Sequence, residues 1–443
     1  MKELTVGLLG CGIVGSGVVR LLGEHDGQIE ARLGARLALG PVAVRTLARD
    51  RDVVVPRLTS NPHEVTGDPD VDIVVEVMGG IEPARSLIAE ALSAGKSVVT
   101  ANKELMSTLG GELLALAHAK GVRLEYEAAV AGGIPIIKPL RESLAGDRVR
   151  KVIGIVNGTT NYVLTKMTDH QATFGEALAE AQRRGYAEHD PSADVEGYDA
   201  AAKAAILASI AFDTQVVAGD VYREGITRVT ATDIAHAARM GYVIKLLAIA
   251  EDYGDSSEAS PASSPELRPP HGEIGVRVHP ALIPADHPLA SVRDSFNAVF
   301  VRADAVGQLM FYGRGAGSLP TASAVLGDLV TVARGLLSGE RPTNGPPTSC
   351  RRLRSIDEVT VQYYILLDVA DQPGVLAAVA SVFGANMVSI KSVWQEGQGE
   401  SAQLLLITHA AKERGVQATL HGLRELLVVR NVASVMRVEG GEV

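Results

Sequence analysis

Cysteine is nearly absent from this chain. Of 443 residues, two are cysteine, Cys11 and Cys350. That is too few for a disulfide framework or a cysteine-held zinc site, and it fits a reducing compartment. No stretch approaches the ~20 apolar residues that a membrane span needs. Met1-Lys2-Glu3 runs straight into a strand-like pattern, without the apolar segment and small-residue cleavage site of a signal peptide. Basic charge is not in excess either: the net charge is −10, which argues against nucleic acid as a partner. The expectation is a soluble, cytoplasmic protein without nucleic-acid or membrane partners. What is present is a globular composition, 46% hydrophobic and 21% charged. The length calls for two or three domains, and 46 glycines imply many tight turns or close backbone approaches.

The first part of the chain alternates short apolar strands (4–9, 42–44, 73–77, 98–99, 122–126) with helical patterns (13–22, 84–93, 105–119). That alternation predicts an α/β domain with a parallel sheet covered on both faces. From about residue 130 the pattern changes. Strands are predicted at 149–156, 274–278, 298–301 and 305–310, and alanine-rich helices at 174–184 and 200–211. This reads as an α+β domain, which often supplies a substrate pocket beside a nucleotide-binding domain. A helix over 322–337 is expected to pack back onto the first domain. Residues 255–270, rich in Ser, Pro and Glu, read as a flexible surface insertion, and the proline-containing stretch 341–354 reads as a linker. Beyond it, strands at 359–369, 388–394, 402–408 and 433–438 and helices at 375–383 and 416–426 follow a β-α-β-β-α-β order, the ferredoxin-like pattern.

Gly10-Cys11-Gly12-Ile13-Val14-Gly15 fits G-x-G-x-x-G, follows an apolar strand and opens a helical pattern. In that context the motif points to dinucleotide binding. Gly10 permits a tight turn, Gly12 lets backbone approach a pyrophosphate, and Gly15 lets helix pack on strand. The helix start offers N–H groups to the phosphates. A glycine turn without a ligand is the plainer alternative. Arg45 stands where an acid for the NAD ribose would stand, with Arg49 and Arg51 near it. This leads to the expectation that NADP(H) is accepted; a solvated surface arginine is the other reading.

A second constellation lies near residue 190. An alanine-rich helix ends at Gly185, an acidic loop follows, and a second helix begins near Tyr198 or Asp199. Asp199 and Lys203 are four apart and share a helix face. A lone Lys on an apolar helix beside carboxylates is a candidate for proton transfer. An ordinary surface ion pair is the alternative, and by spacing alone the commoner one.

This stretch resembles the signature of homoserine dehydrogenases, with Ala181, Gly185, Asp190, Pro191, Asp194, Gly197, Asp199 and Lys203 at its fixed positions. Tyr186 is a small departure. The resemblance extends to Thr100-Ala101-Asn102-Lys103, to Asn157-Gly158-Thr159-Thr160-Asn161-Tyr162 and to Gly313-Arg314-Gly315-Ala316-Gly317, so it runs from the first strand to about residue 335. It implies NAD(P)-dependent interconversion of L-aspartate 4-semialdehyde and L-homoserine, in threonine and methionine biosynthesis. It implies Lys203 as the proton-transfer group, assisted by Lys103, and Glu188, Asp194, Asp199 and Lys103 as substrate contacts. Gly10, Gly12, Ile13, Val14, Gly15, Arg45, Thr100, Lys103 and Gly315 are then the cofactor contacts. The segment from Glu127 to Pro135 resembles the family's cation loop, which implies sodium or potassium on Glu127, Val130, Gly132 and Ile134; carbonyl oxygens suit such hard cations. A glycine-rich hinge is the alternative there, and a plain turn at 313–317.

At the C-terminus, Asp371-Gln372-Pro373-Gly374-Val375-Leu376 looks like the turn-to-helix motif of ACT domains, and Asn386 fits as well. That implies an effector site at Asp371, Gly374 and Asn386, threonine as the effector, and a homo-oligomer, dimer or tetramer; a purely oligomerising role is the alternative. The expected organisation is a Rossmann-type domain over 1–130, a substrate and dimerisation domain over 131–338, a linker over 339–356 and an ACT domain over 357–443. Two other readings compete with this one. A non-catalytic nucleotide and amino-acid sensor would not need Lys103, Asp199 and Lys203 together. An acylating aldehyde dehydrogenase needs a nucleophilic cysteine, and neither cysteine is well placed.

Overall fold

The structure, a computed structural model, describes residues 2–254, 272–340, 342, 345–399 and 402–441. The segment 255–270, read as an insertion, lies outside the described residues.

The first domain alternates as its sequence pattern requires. It comprises β1 (Lys2–Leu9), α1 (Ile13–Glu24), α2 (Asp26–Leu33), β2 (Ala35–Ala43), β3 (Leu58–Thr59), α3 (His63–Thr66), β4 (Ile73–Glu76), α4 (Ala84–Ser93), β5 (Ser97–Thr100), α5 (Lys103–Lys120) and β6 (Leu124–Glu125). The parallel sheet has the order β3-β2-β1-β4-β5-β6. Its inner strands β4 and β5 are buried along their whole length because both faces are covered. Leu9, Val74 and Val98 pack with Leu87, Ile88 and Leu113 of α4 and α5. Val6, Leu8, Ile73, Val75 and Val99 pack on the other face with Val18 and Leu22 of α1. That second face is completed from far along the chain by α11 (Ser318–Ser338), whose Val325, Leu329 and Val332 join the same cluster. A Cβ on Gly17 would lie 2.8 Å from the Ser318 carbonyl oxygen, so glycine sets how closely α1 and α11 approach.

The second region contains β7 (Val149–Ile155), α6 (Gly158–His170), α7 (Phe174–Arg183), α8 (Ser192–Val195), α9 (Tyr198–Ala211), β8 (Tyr222–Arg223), α10 (Ala231–Arg239), β9 (Tyr242–Gly254), β10 (Glu273–Pro284), β11 (Phe296–Ala303) and β12 (Gly307–Arg314). The strands run β12-β11-β7-β9-β10, each antiparallel to its neighbour. Alternate residues serve opposite faces. Ile244, Leu246 and Ala248 of β9 join the large core shared with α6 and α9. Leu247 and Ile249 join the smaller cluster on the reverse side. Five of these elements, α6, α8, β8, α10 and β9, are absent from the sequence expectation.

From Ser349 onwards the described residues beyond α11 are fastened to the second region. Ser349 donates its amide to the Asp213 carbonyl at 3.1 Å, Arg351 pairs with Asp252 at 3.0 Å, and β13 (Arg352–Leu353) pairs with β10. Then come β14 (Thr360–Val369), α12 (Val375–Ala385), β15 (Ile390–Glu396), β16 (Gln403–Thr408), β17 (Ala411–Lys412), α13 (Glu413–Arg424) and β18 (Val429–Val438). Their sheet order β18-β14-β16-β15 is ferredoxin-like. β18 also pairs in parallel with β10, Ala281 facing Arg437 and Leu282 facing Val438. The C-terminal sheet therefore continues that of the second region, 12 strands in all.

Candidate active site

The glycine turn sits at the carboxyl end of β1, where the strand order reverses between β1 and β4, the usual ligand crevice of such sheets. Gly10 has φ +99, a conformation glycine takes without penalty. A Cβ on Gly15 would lie 2.3 Å from the Gly10 carbonyl oxygen, whereas a Cβ on Gly12 would meet nothing within 4 Å. The first closeness seats α1 on the turn; the second leaves open space over an α1 start that has no side-chain cap. A dinucleotide's pyrophosphate fits that cradle. Ile13 is exposed and its carbonyl accepts from the Ser318 hydroxyl at 2.7 Å, which ties α11 to the turn. Val14 is the second residue of α1, and Arg45 is exposed just past β2.

A buried acid organises the neighbouring loops. Glu76, ending β4, accepts from Met78 and Gly79 amides at 2.7 and 3.1 Å and from the Thr100 hydroxyl at 2.6 Å. Asn102 caps α5 by accepting from Leu105 N–H at 3.1 Å, and donates to the Gly80 carbonyl at 2.6 Å. Glu76 and Asn102 have no role in the sequence expectation. A charged residue closing an apolar run, and an Asn before a helical pattern, are the signals by which they could be found.

α5 starts at Lys103, whose ammonium pairs with Asp199 Oδ1 on α9. The other oxygen of Asp199 accepts from Lys203 at 2.7 Å, and Lys203 also donates to the Val156 carbonyl at 2.6 Å. Asp199 and Lys203 are buried, while Lys103 is about half exposed (48%). Burial pushes the Asp199 carboxyl up, but the two lysines more than offset it and hold it well below the usual carboxylate range. Burial lowers the Lys203 ammonium, Asp199 opposes and Lys103 adds to the effect; the net direction is down. Burial also works against charge on Lys103, yet Asp199 raises it overall. One carboxylate thus joins two domains and distinguishes two amines.

Asn157 completes the cluster. It caps α6, accepting from Thr160 N–H at 2.8 Å, and its amide donates to Asp194 at 2.6 Å and Asp199 at 2.9 Å. Asp194 is part-buried, while Glu188 is exposed on the loop after α7. Across the cleft, the 313–317 loop lies against the 130–134 loop: Gly133 N–H donates to the Arg314 carbonyl at 3.1 Å, and a Cβ on Gly132 would lie 2.4 Å from the Gly315 oxygen. A Cβ on Gly315 would in turn lie 2.1 Å from the Asn297 amide nitrogen. The Val130, Gly132 and Ile134 carbonyls accept no hydrogen bond from the described residues. The Glu127 carboxylate accepts from Ile136, Ile137 and Lys138 amides at 2.6, 2.7 and 2.8 Å. Nearby Asp328 accepts from the Glu127 amide at 2.8 Å, and burial lifts its carboxyl to about 7.

The three expected effector residues do not converge within one chain. Asp371 accepts from Gly399 N–H at 2.9 Å, and Gly374 caps the start of α12. Asn386 follows the other end of that helix, with its amide on the Val382 carbonyl at 2.9 Å.

A Rossmann sheet with an open glycine cradle, facing a buried lysine of depressed basicity, defines a nicotinamide-dinucleotide-dependent oxidoreductase. Two family models match the chain: "Homoserine dehydrogenase, NAD binding domain" over residues 10–127 and "Homoserine dehydrogenase" over residues 135–330. The chain belongs to the homoserine dehydrogenase family. It is 49% identical to a homoserine dehydrogenase of Mycobacterium tuberculosis, covering 99% of this chain and 98% of the relative. It is 47% identical to that of Corynebacterium glutamicum, covering 98% and 95%. Among solved structures, a homoserine dehydrogenase from Thiobacillus denitrificans matches with a TM-score of 0.90 at 40% identity, covering 99% of each chain. A hyperthermophilic archaeal homoserine dehydrogenase in complex with NADPH matches with a TM-score of 0.61 at 26% identity, covering 77% of this chain and 100% of that one. Among the described residues no helix is long and apolar enough to cross a membrane.

Proposed function

We propose that the chain interconverts L-homoserine and L-aspartate 4-semialdehyde, with Lys203 as the proton-transfer group. The observation that carries this reading is the buried Lys203 ammonium held by Asp199 while Lys103 stands on the opposite carboxylate oxygen. A bound dinucleotide supplies hydride acceptance and donation at its nicotinamide ring. The chain supplies position and a proton. A neutral Lys203 takes the proton of the homoserine hydroxyl in oxidation, and its ammonium returns one to the carbonyl oxygen in reduction. Asp199 fixes both amines, and Asn157 aligns Asp199 with Asp194. Glu188 and Asp194 offer negative charge to the substrate ammonium. Homoserine-dependent NADP reduction tests the assignment: Lys203→Ala is expected to lower kcat by about 10²-fold or more, and full activity in that variant would remove Lys203 from the mechanism.

NADP(H) fits the exposed Arg45 beside the ribose position, and the archaeal structural relative is in complex with NADPH; NAD(H) is the alternative carrier. Sodium or potassium fits the free carbonyls of Val130, Gly132 and Ile134 together with Glu127, whose carboxylate also braces the loop through three amides. The C-terminal module is read as an ACT regulator. Asp371 and Gly374 stand at one end of α12 and Asn386 at the other, so a site using all three requires a second copy, in keeping with a dimer or tetramer. Threonine at millimolar concentration is expected to inhibit the forward reaction, less so in Asp371→Ala; equal rates with and without threonine would leave the module an oligomerising role.

A further inference from the structure

A cleft of about 670 Å³ separates the C-terminal module from the catalytic region, with α13 and β18 on one side and the segment after β8 and the start of α9 on the other. Four arginines line it. Arg437 is committed, donating to Glu224 at 2.7 Å and to Glu413 at 2.9 Å. Arg223, Arg228 and Arg424 have no carboxylate partner among the described residues, and of the lining acids only Glu196 is left outside the Arg437 pairs. Three guanidiniums without an ion-pair partner thus face one unpaired carboxylate, and the four arginines and three glutamates of the lining leave the cleft a net charge of +1 in a chain of net charge −10. Arg223 is the most constrained: its guanidinium carbon stands 3.5 Å from the centroid of the Tyr198 ring, and its Nε is buried without an acceptor.

We propose that this cleft binds a compact organic dianion, a phosphomonoester or a dicarboxylate, between the two modules. Guanidinium forks match both headgroups, and the cleft is far larger than a bare ion needs, with Leu420 and Val435 offering apolar contact to a carbon body. The occupied cleft acts on the substrate acids through short links. Tyr198 directly precedes Asp199. Ile226 N–H donates to the Val195 carbonyl at 2.8 Å, and a Cβ on Gly225 would lie 2.3 Å from that same oxygen, so the segment carrying Arg223 is fastened to the loop between Asp194 and Asp199. This coupling rests on the reading of those acids as substrate contacts; the binding does not.

Calorimetric titration of the full chain tests the binding, with NADPH saturating the glycine cradle so that phosphate held there does not register. The probes are O-phosphoserine, succinate and inorganic phosphate. Saturable binding of one of the two organic anions is expected, weakened about tenfold or more in the double variant Arg228→Gln/Arg424→Gln and unchanged in Arg32→Gln on α2. The bound anion should shift the homoserine KM about twofold or more in the wild type and leave the double variant unmoved. No saturable heat up to about 10 mM, or equal binding by the double variant, would overturn the site. Binding of inorganic phosphate alone would overturn the organic body of the ligand. Binding with an unmoved KM would overturn the coupling and leave the site standing.

Discussion

Asp199 gives two lysines different chemistries. Lys103 and Lys203 are both ammonium groups in water, but here one is half exposed and raised while the other is buried and lowered. The carboxylate opposes the lowering of Lys203, and Lys103 adds to it. Removing that negative charge with Asp199→Asn therefore drops the Lys203 pKa further. In homoserine oxidation the working form of Lys203 is the neutral amine, so kcat/KM rises with pH through its pKa. The acid limb of that profile is expected to move to lower pH in the variant, with a lower plateau because both amines lose their anchor. A pH–rate series on both proteins checks it, and an unmoved limb would assign the titration to another group.

At the scale of elements, the glycine turn and α1 divide binding from packing. Gly12 faces open space, so Gly12→Ala should fold as before and obstruct only the pyrophosphate. The expected outcome is an NADP(H) KM raised about tenfold, roughly 1.4 kcal/mol, with an unchanged Tm. Gly15→Ala places its methyl against the Gly10 carbonyl and should lower Tm as well, by overpacking worth about 1–3 kcal/mol. Parallel melting curves and cofactor titrations distinguish the two variants. α6 shows the same economy: one Asn at its start both caps the helix and aligns two acids.

For the whole molecule, the decisive feature is the sheet that runs from β12 to β15 through β10 and β18. Just past β18, Glu439 donates its amide to the Leu282 carbonyl at 2.9 Å. Its buried carboxylate meets Arg277 at 2.7 Å and Lys151 at 3.2 Å. Burial raises the Glu439 carboxyl, but Arg277 and Lys151 dominate and hold it far below its ordinary 4.5. A lowered carboxyl pKa contributes stability above the unfolded value and loses it as pH falls below that value. Glu439→Gln should thus destabilise the chain at neutral pH by about 1.5–3 kcal/mol, because Arg277 and Lys151 lose one carboxylate but keep Glu251, with the deficit narrowing below pH 4.5. Thermal melts at the two pH values measure this, and a constant deficit would refute the ionic account.

The sequence by itself determined what is local. Apolar runs covered on both faces announced the parallel sheet, glycine spacing announced the cradle, and alternating elements announced the C-terminal order. Residues 242–254 escaped because the apolar, alanine-containing run Leu246-Leu247-Ala248-Ile249-Ala250 suits helix or strand alike; pairing with β7 and β10 on both sides decides it. α6 escaped because Thr159, Thr160 and Val163 are poor helix formers, and burial against β9 and β11 outweighs that preference. Only tertiary structure could bring Lys103 on α5 to Asp199 on α9, or draw β18 onto β10. Periodicity reports which face an element buries, whereas an ion pair between distant elements depends on how those faces meet.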